Sequence, residues 1–198
     1  MVPSADWSRV GGHGHAVQFY QTDSHLLDLL TRFIGTALVT GDVGIVIATK
    51  VHRDGLAKRF KARGLNVGVA RDEGRYIVLD AAATLTRIMR DGKPDEDAFR
   101  EVIGGVMARA VRLDAHSRIA AFGEMVALLW ADGKADAAIQ LEDMWNALAQ
   151  EQAFCLCCAY PMSGFSNRHA APFMKICAAH SHVFTVAQDV ARDRSARL

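Results

Sequence analysis

The sequence lacks both an excess of charge of one sign and a long apolar run. Its 198 residues contain 23 lysines and arginines against 22 aspartates and glutamates, so the net charge is close to zero. Direct binding to nucleic acid requires a basic surface that neutralises phosphates, and this composition does not supply one. No uninterrupted apolar run approaches the roughly 20 residues of a membrane-spanning helix. We therefore expect direct contact with neither nucleic acid nor membrane.

A secretory signal is missing as well. No basic segment followed by an apolar stretch occurs at the amino terminus, so we expect a cytoplasmic protein. Three of the four cysteines, Cys155, Cys157 and Cys158, crowd one apolar segment. Alternate side chains point apart there and a bond between neighbours would be strained, which favours reduced thiols.

A phosphate-binding loop is also absent. In P-loop ATPases the first strand leads into the first helix through GxxxxGK[ST], whose backbone N–H groups and lysine hold the phosphates. Here residues 21–25 read Gln-Thr-Asp-Ser-His, without glycine or lysine, and Asp23 would repel a phosphate. The sequence therefore argues against nucleotide hydrolysis by the usual route.

Strand and helix patterns alternate along the chain. Strands are predicted at residues 15–20, 43–48, 76–79, 119–122 and 154–160, with a last strand or short helix at 183–186. Helices are predicted at 23–40, where Asp23 is the expected cap, and at 54–63, 83–89, 95–110, 136–150 and 172–180. This alternation predicts a three-layer α/β fold with a mainly parallel sheet flanked by helices. We expect one domain over residues 15–190, a flexible arm over 1–14 and a tail over 191–198.

A ligand site is expected outside the carboxyl ends of the strands, where open parallel sheets bind their ligands. Aromatic, thioether and polar residues stand at or just after the ends of the predicted strands: Tyr20, Gln21, Thr49, Lys50, Asp80, Glu124, Met125 and Tyr160. Such a lining suits a small, partly apolar ligand that is held by a few polar contacts.

Several short motifs occur together along the chain. They are His15 with Phe19 and Tyr20; Gly41 with Asp42; Gly123, Glu124, Met125 and Val126 with Leu129 and Trp130; Leu141 and Glu142 with Trp145; Cys158, Ala159, Tyr160 and Pro161; and Cys177, His180 and Ser181. In combination this pattern resembles the MEDS domain, a sensory domain of methanogens, methylotrophs and the DcmR regulator. The resemblance runs from about residue 15 to residue 182, nearly the whole chain.

The resemblance implies both a fold and a role. The fold would be a degenerate relative of the RecA and KaiC type without a P-loop, and the role would be sensing simple hydrocarbon derivatives in prokaryotic signal transduction. Relatives are often joined to kinase or DNA-binding modules, so the expected partner here is a histidine kinase or transcription regulator acting in trans, or a second copy of the chain. No cofactor is assigned.

Six residues are predicted to contact the ligand: Glu124, Tyr160, His15, Tyr20, His180 and Met125. Glu124 and Tyr160 are the leading contacts. The alternative for Glu124 is to cap a nearby backbone group, and the alternative for His15 is a hydrogen-bonded structural role inside the fold.

A metal site is a further alternative. Cys177 and His180 lie three residues apart on a predicted helix and share a face, and Cys158 could join them with His15 or His182 as a soft-metal set. The sequence has no two CxxC motifs that could pair and no other tetrahedral ligand spacing. We therefore assign no metal ligands.

Catalysis and pure protein binding are the remaining alternatives. Cys158 or Cys177 with His180 and Glu124 would supply a nucleophile, a base and an orienting acid. No nucleophile elbow is present, and an apolar strand is a poor setting for a thiolate, so we assign no catalytic residues. In the other alternative the domain has no ligand and its exposed helices only dock a partner.

Overall fold

The structure is a computed structural model that describes residues 14–113, 117–165 and 170–185. Apart from Gly14, the predicted amino-terminal arm lies outside these residues, and so does the predicted tail. The division into one domain and two end segments therefore stays a prediction.

The central feature is a sheet of six parallel strands in the order β3-β2-β6-β7-β1-β8. The strands, numbered along the chain, are β1 (Gly14–Tyr20), β2 (Val43–Ala48), β3 (Tyr76–Asp80), β4 (Met89–Arg90), β5 (Lys93–Pro94), β6 (Ile119–Gly123), β7 (Cys155–Pro161) and β8 (His182–Phe184). Strands β4 and β5 form a separate antiparallel pair. The predicted α/β class with a parallel sheet is confirmed.

Helices connect the strands and cover the sheet. They are α1 (Asp23–Val39), α2 (Lys50–Ala62), α3 (Val67–Asp72), α4 (Ala81–Ile88), α5 (Glu96–Phe99), α6 (Gly105–Leu113), α7 (Met125–Ala131), α8 (Ala135–Glu151) and α9 (Ala170–Ala179). A π-helical segment, Arg100–Gly104, joins α5 to α6, and a 3-10 turn, Met162–Gly164, follows β7. None of the helices in the described ranges is long and apolar enough to span a bilayer.

Two hydrophobic cores lie on opposite faces of the sheet. Helices α1, α2 and α3 pack on one side, which we call the α1 face, and helices α4 to α9 pack on the other, which we call the α8 face. Because side chains alternate along a strand, Val17 and Phe19 of β1 enter the core of the α8 face, whereas Tyr20 enters that of the α1 face. Covering both faces explains why every residue of β2 is buried.

Helix α1 lies unusually close to the sheet at Gly44. A Cβ at this position would lie 2.9 Å from Cγ2 of Ile34 and 3.2 Å from Cδ2 of Leu38. Real Cβ atoms rarely approach a neighbour so closely, so a glycine in β2 allows this packing. The expected cap of α1 is wrong by one residue, since Thr22 accepts the N–H of His25 and Asp23 is already helical.

Two short helices were not predicted. Helix α7 begins immediately after β6, so Met125 lies in a buried helix rather than in an open loop. Helix α3 has one buried residue, Ala70, and an apolar pattern of that length is too short to identify. At the carboxyl terminus, His182–Phe184 is a strand, the first of the two alternatives for that segment.

Candidate functional site

The six predicted ligand residues lie on both faces of the sheet. Tyr20 packs in the core of the α1 face, and Glu124 hydrogen-bonds to α2 on the same side. Met125 and Tyr160 pack in the core of the α8 face. His15 and His180 join a buried polar cluster there, and their rings lie 4.0 Å apart between centroids. The structure thus provides two polar clusters, and contact of each residue with a ligand stays a prediction.

Glu124 forms the centre of the cluster on the α1 face. Its carboxylate accepts hydrogen bonds from the N–H of Thr49 at 2.7 Å and from the Thr49 hydroxyl at 3.4 Å, and it lies 2.7 Å from Nδ1 of His52. Nε2 of His52 faces the exposed carboxylate of Asp23 at 3.4 Å. Since Thr49 precedes α2, Glu124 performs the backbone-capping role that was its predicted alternative.

The charge of Glu124 also affects its histidine partner. Burial acts to lower the pKa of His52, but the hydrogen bond and charge of Glu124, helped by Asp23, outweigh burial and raise that pKa above its ordinary value. The protonated ring is therefore the better partner for these two carboxylates. The interaction ties the end of β6 to the first turns of α2.

Four side chains from four segments converge on the α8 face, and we call them the buried quartet: His15 of β1, Glu142 of α8, Cys158 of β7 and His180 after α9. Each offers one ligand atom, and these four atoms all lie within 4.8 Å of one another. Nε2 of His15 lies 3.3 Å from Sγ of Cys158 and 3.3 Å from Oε2 of Glu142. Nε2 of His180 lies 3.5 Å from the same carboxylate oxygen.

Hydrogen bonds outside the quartet fix the orientation of its rings. Nδ1 of His180 lies 2.6 Å from the carbonyl oxygen of Ile176, which can only accept, so Nδ1 carries a proton. Asn146 donates its amide N–H to the carbonyl of Ala179, which turns its Oδ1 toward Nδ1 of His15 at 2.9 Å. Both rings thus donate through Nδ1 and direct Nε2 into the quartet.

Tyr160 orients the carboxylate in the same way. Its hydroxyl donates to Oε1 of Glu142 at 2.7 Å, which leaves Oε2 directed at the two histidines. Oε2 of Glu142 and Nε2 of His180 are fully buried, and neither has a hydrogen-bond partner among the described residues. Two buried polar atoms therefore face each other without a hydrogen bond between them.

Electrostatics in the quartet couples its members strongly. Burial acts to raise the pKa of Glu142, but His180 and His15 outweigh burial and hold that pKa well below its ordinary value. Burial acts to lower the pKa of His180, and Glu142 reverses this and raises it. Burial, reinforced by Glu142, raises the pKa values of the Cys158 thiol and the Tyr160 hydroxyl well above their ordinary values. Negative charge in the quartet is thus concentrated on Glu142.

Aromatic side chains adjoin the quartet, and we call the following five the aromatic group: Phe19, Trp130, Tyr160, Phe165 and Phe173. Their contacting rings lie 4.5 to 6.1 Å apart between centroids. Phe19 and Tyr160 are fully buried, whereas Phe165 and Phe173 are half-buried. Tyr160 belongs to this apolar group and also hydrogen-bonds the quartet, so it links the two.

Comparison with known proteins identifies the family. The family model described as MEthanogen/methylotroph, DcmR Sensory domain (MEDS) matches residues 14–180. The chain belongs to the MEDS family. The resemblance seen in the sequence is thereby confirmed, and membership of a sensory family implies a role in signalling. Among curated proteins, none matches the chain.

The quartet of this MEDS domain was predicted only in part. Its two histidines were among the predicted ligand residues, and His15, His180 and Cys158 were all part of the metal alternative. Cys177 and His182, the other members of that alternative, do not belong to the quartet.

Glu142 was missed as a site residue, although the sequence carries a signal for it. It falls on the buried stripe of α8 with Ala138, Leu141, Trp145 and Leu148. A carboxylate on such a stripe needs a partner inside the protein. Asn146 and His52 carry no comparable signal, because a half-buried amide and a histidine in a charged helix are ordinary in sequence.

Proposed function

We propose that this MEDS domain is a non-catalytic sensor that binds a small, partly apolar ligand beside Tyr160. The observation that carries the proposal is the contact between the aromatic group and the buried quartet, through the hydrogen bond from Tyr160 to Glu142. A site with apolar walls and a few fixed polar groups suits a simple hydrocarbon derivative, whose carbon body packs on the rings while its polar atom meets the Tyr160 hydroxyl at the edge of the quartet.

Helix α9 is the element best suited to respond to such a ligand. Only Ile176 of this helix is fully buried, and Phe173 is the α9 side chain in the aromatic group. A ligand that replaces the contacts of Phe173 would therefore move a helix held by few core contacts. Binding then shifts a population between two positions of α9, provided that the ligand prefers one of them.

The thiols support the non-catalytic part of the proposal. Burial raises the pKa values of the Cys158 and Cys177 thiols, and a nucleophilic cysteine requires the opposite. Within the described residues, Cys158 also lies against the carboxylate of Glu142 rather than in an electropositive setting.

The proposal also includes a fold relationship to RecA or KaiC and a signalling partner. The parallel sheet and the absence of a phosphate loop between β1 and α1 agree with a degenerate RecA or KaiC relative. We infer from the sensory family that the signal passes in trans to a histidine kinase or a transcription regulator, or through a second copy of the chain.

The proposal is tested by titration with a short alcohol, a halogenated methane and a methylated amine, followed by native mass spectrometry and tryptophan fluorescence. Trp130 lies in the aromatic group, with its ring 4.5 Å from that of Phe165, so its emission should change on binding. The Trp130→Phe variant should lose this change. Tyr160→Phe removes the hydrogen bond that orients Glu142 and should weaken binding.

The matched control is Tyr76→Phe, a buried tyrosine in the core of the α1 face, which should bind as the unchanged protein does. An absence of any mass shift or emission change with all three compounds would contradict ligand binding at this site. That outcome would favour the alternative in which the domain only docks a partner.

A further inference from the structure

The buried quartet has the composition and shape of a metal site. We propose that His15, Glu142, Cys158 and His180 bind one divalent transition-metal ion of the zinc class. The proposal does not depend on the small-molecule ligand, because it rests on the quartet and its hydrogen bonds alone.

Distances within the quartet agree with tetrahedral coordination. Zinc bonds of about 2.0–2.3 Å to nitrogen, oxygen and sulfur place neighbouring ligand atoms roughly 3.3–3.8 Å apart in a tetrahedron. The two contacts of His15 Nε2, with Cys158 Sγ and Glu142 Oε2, are both 3.3 Å, and the contact of His180 Nε2 with that oxygen is 3.5 Å. The remaining pairs of ligand atoms lie within 4.8 Å of one another, so movements on the order of 1 Å would bring all four into a tetrahedron.

The hydrogen bonds around the quartet are those expected of metal-binding histidines. Such a histidine usually donates its second ring N–H to a carbonyl or carboxylate, which fixes the ring and its tautomer. The Ile176 carbonyl performs this role for His180, and Asn146 performs it for His15. With Nδ1 engaged outside the quartet in both rings, Nε2 is the ring atom left to bind a metal.

A bound cation would give the two unpaired atoms of the site a partner. Oε2 of Glu142 and Nε2 of His180 are buried and lack hydrogen-bond partners, an arrangement that is unfavourable unless something positive lies between them. One divalent ion, one carboxylate and one thiolate sum to zero charge, which suits a buried site. The proton of the Cys158 thiol would leave to solvent when the metal binds, as metal binding by cysteine requires.

The ligand types select the class of metal. Two imidazole nitrogens and one sulfur favour borderline-soft ions such as Zn²⁺ and Co²⁺, whereas Mg²⁺ and Ca²⁺ prefer sites made of oxygen ligands. The quartet supplies four protein ligands and lies in the core, so the coordination shell is closed in the manner of a structural site.

The experiment begins with the full chain purified without chelators and analysed by elemental mass spectrometry. We expect about one zinc ion per chain, the content of a closed four-ligand site. Protein stripped by a chelator and loaded with Co²⁺ should show tetrahedral cobalt absorption together with a sulfur-to-cobalt charge-transfer band. Cys158→Ser should lose the charge-transfer band, and Asn146→Ala should bind Co²⁺ about 10–100-fold more weakly.

Two cysteines provide matched controls. Cys157 precedes Cys158 on β7 but points into the core of the α1 face, and Cys177 lies on α9 outside the quartet, so Cys157→Ser and Cys177→Ser should both keep the band. Circular dichroism confirms that each variant is folded. A wild-type chain without bound metal and without a cobalt spectrum would overturn the proposal, and so would a charge-transfer band that survives Cys158→Ser. Neither readout involves the small molecules used to test the sensor.

Discussion

Each face of the sheet buries a glutamate beside histidine, but the two carboxylates have different hydrogen-bond partners. Glu124 on the α1 face accepts the N–H and hydroxyl of Thr49 and contacts His52, whose second nitrogen faces the exposed Asp23. Glu142 on the α8 face has one oxygen bonded to Tyr160 and the other directed at two imidazoles without a hydrogen bond. The Glu124 carboxylate is bonded to Thr49 and His52, whereas the Glu142 carboxylate has one oxygen left that could bind a metal.

This comparison teaches how a structural carboxylate differs from a functional one. Burial alone does not distinguish them, because both glutamates are almost completely buried. The difference lies in whether the surrounding donors use every lone pair. Four experiments, taken from the largest expected effect to the smallest, test the contrast between Glu124 and Glu142.

Glu142→Ala should have the largest effect on stability. It removes the carboxylate that faces His15 and His180 and leaves their rings buried, and breaking a buried ion pair in this way costs about 3–5 kcal/mol. Urea unfolding with excess chelator present measures the loss for the protein alone. Glu142→Gln keeps an acceptor for Tyr160 and should lose less. A loss no larger than that of Glu124→Ala would remove the contrast between the two faces.

Glu124→Ala should lower the free energy of unfolding by an intermediate amount. The change removes the short charged hydrogen bond to the N–H of Thr49 at the start of α2, which is worth about 1.5–3 kcal/mol, while His52 retains Asp23 as a partner. Urea unfolding again measures the loss. The metal content should remain that of the unchanged chain, and a loss of metal in this variant would show that the two clusters are coupled.

The stability contribution of His52 should depend on pH. Its pKa is raised in the folded protein, so its contribution is complete below the unfolded pKa of about 6.5 and is lost as the pH rises through the folded pKa. The difference in unfolding free energy between the unchanged protein and His52→Gln should therefore be larger at about pH 5.5 than at about pH 9. A difference that grows with pH would contradict the raised pKa.

Cys177→Ser should change the free energy of unfolding least. The side chain is half-buried on α9 and lies outside the quartet, so the change in unfolding free energy should stay within about 0.5 kcal/mol. Thermal unfolding with and without bound metal provides the measurement. A large loss of stability confined to the metal-bound form would place Cys177 in the metal site and require a different ligand set.

Most of the fold could be predicted because its signals are local. Strand β2 was located within its observed bounds from a β-branched apolar run, and α1 and α8 were located from apolar residues at helical spacing. Helices α3 and α7 were missed because six or seven residues contain too few turns to show a helical period. The separate pairing of β4 with β5 was not predicted, since two-residue strands have no pattern of their own.

The candidate site was harder to predict, because the sequence separates its members widely. His15 and His180 stand near opposite ends of the matched region, and they meet because β1 lies between β7 and β8 at one side of the sheet. Spacing in the chain therefore indicated Cys177 with His180, and it could not show that Glu142 completes the set.

The sequence by itself determined the α/β class, the absence of a phosphate loop and the residues that carry the family pattern. Hydrophobic periodicity and local motifs depend on neighbours in the chain, so they can be read without coordinates. The tertiary structure alone decided that Tyr20 and Glu124 face one core while Tyr160 and His15 face the other. It also decided that Glu142 completes the quartet, because strand order and the alternation of side chains along each strand bring these distant residues within a few ångströms.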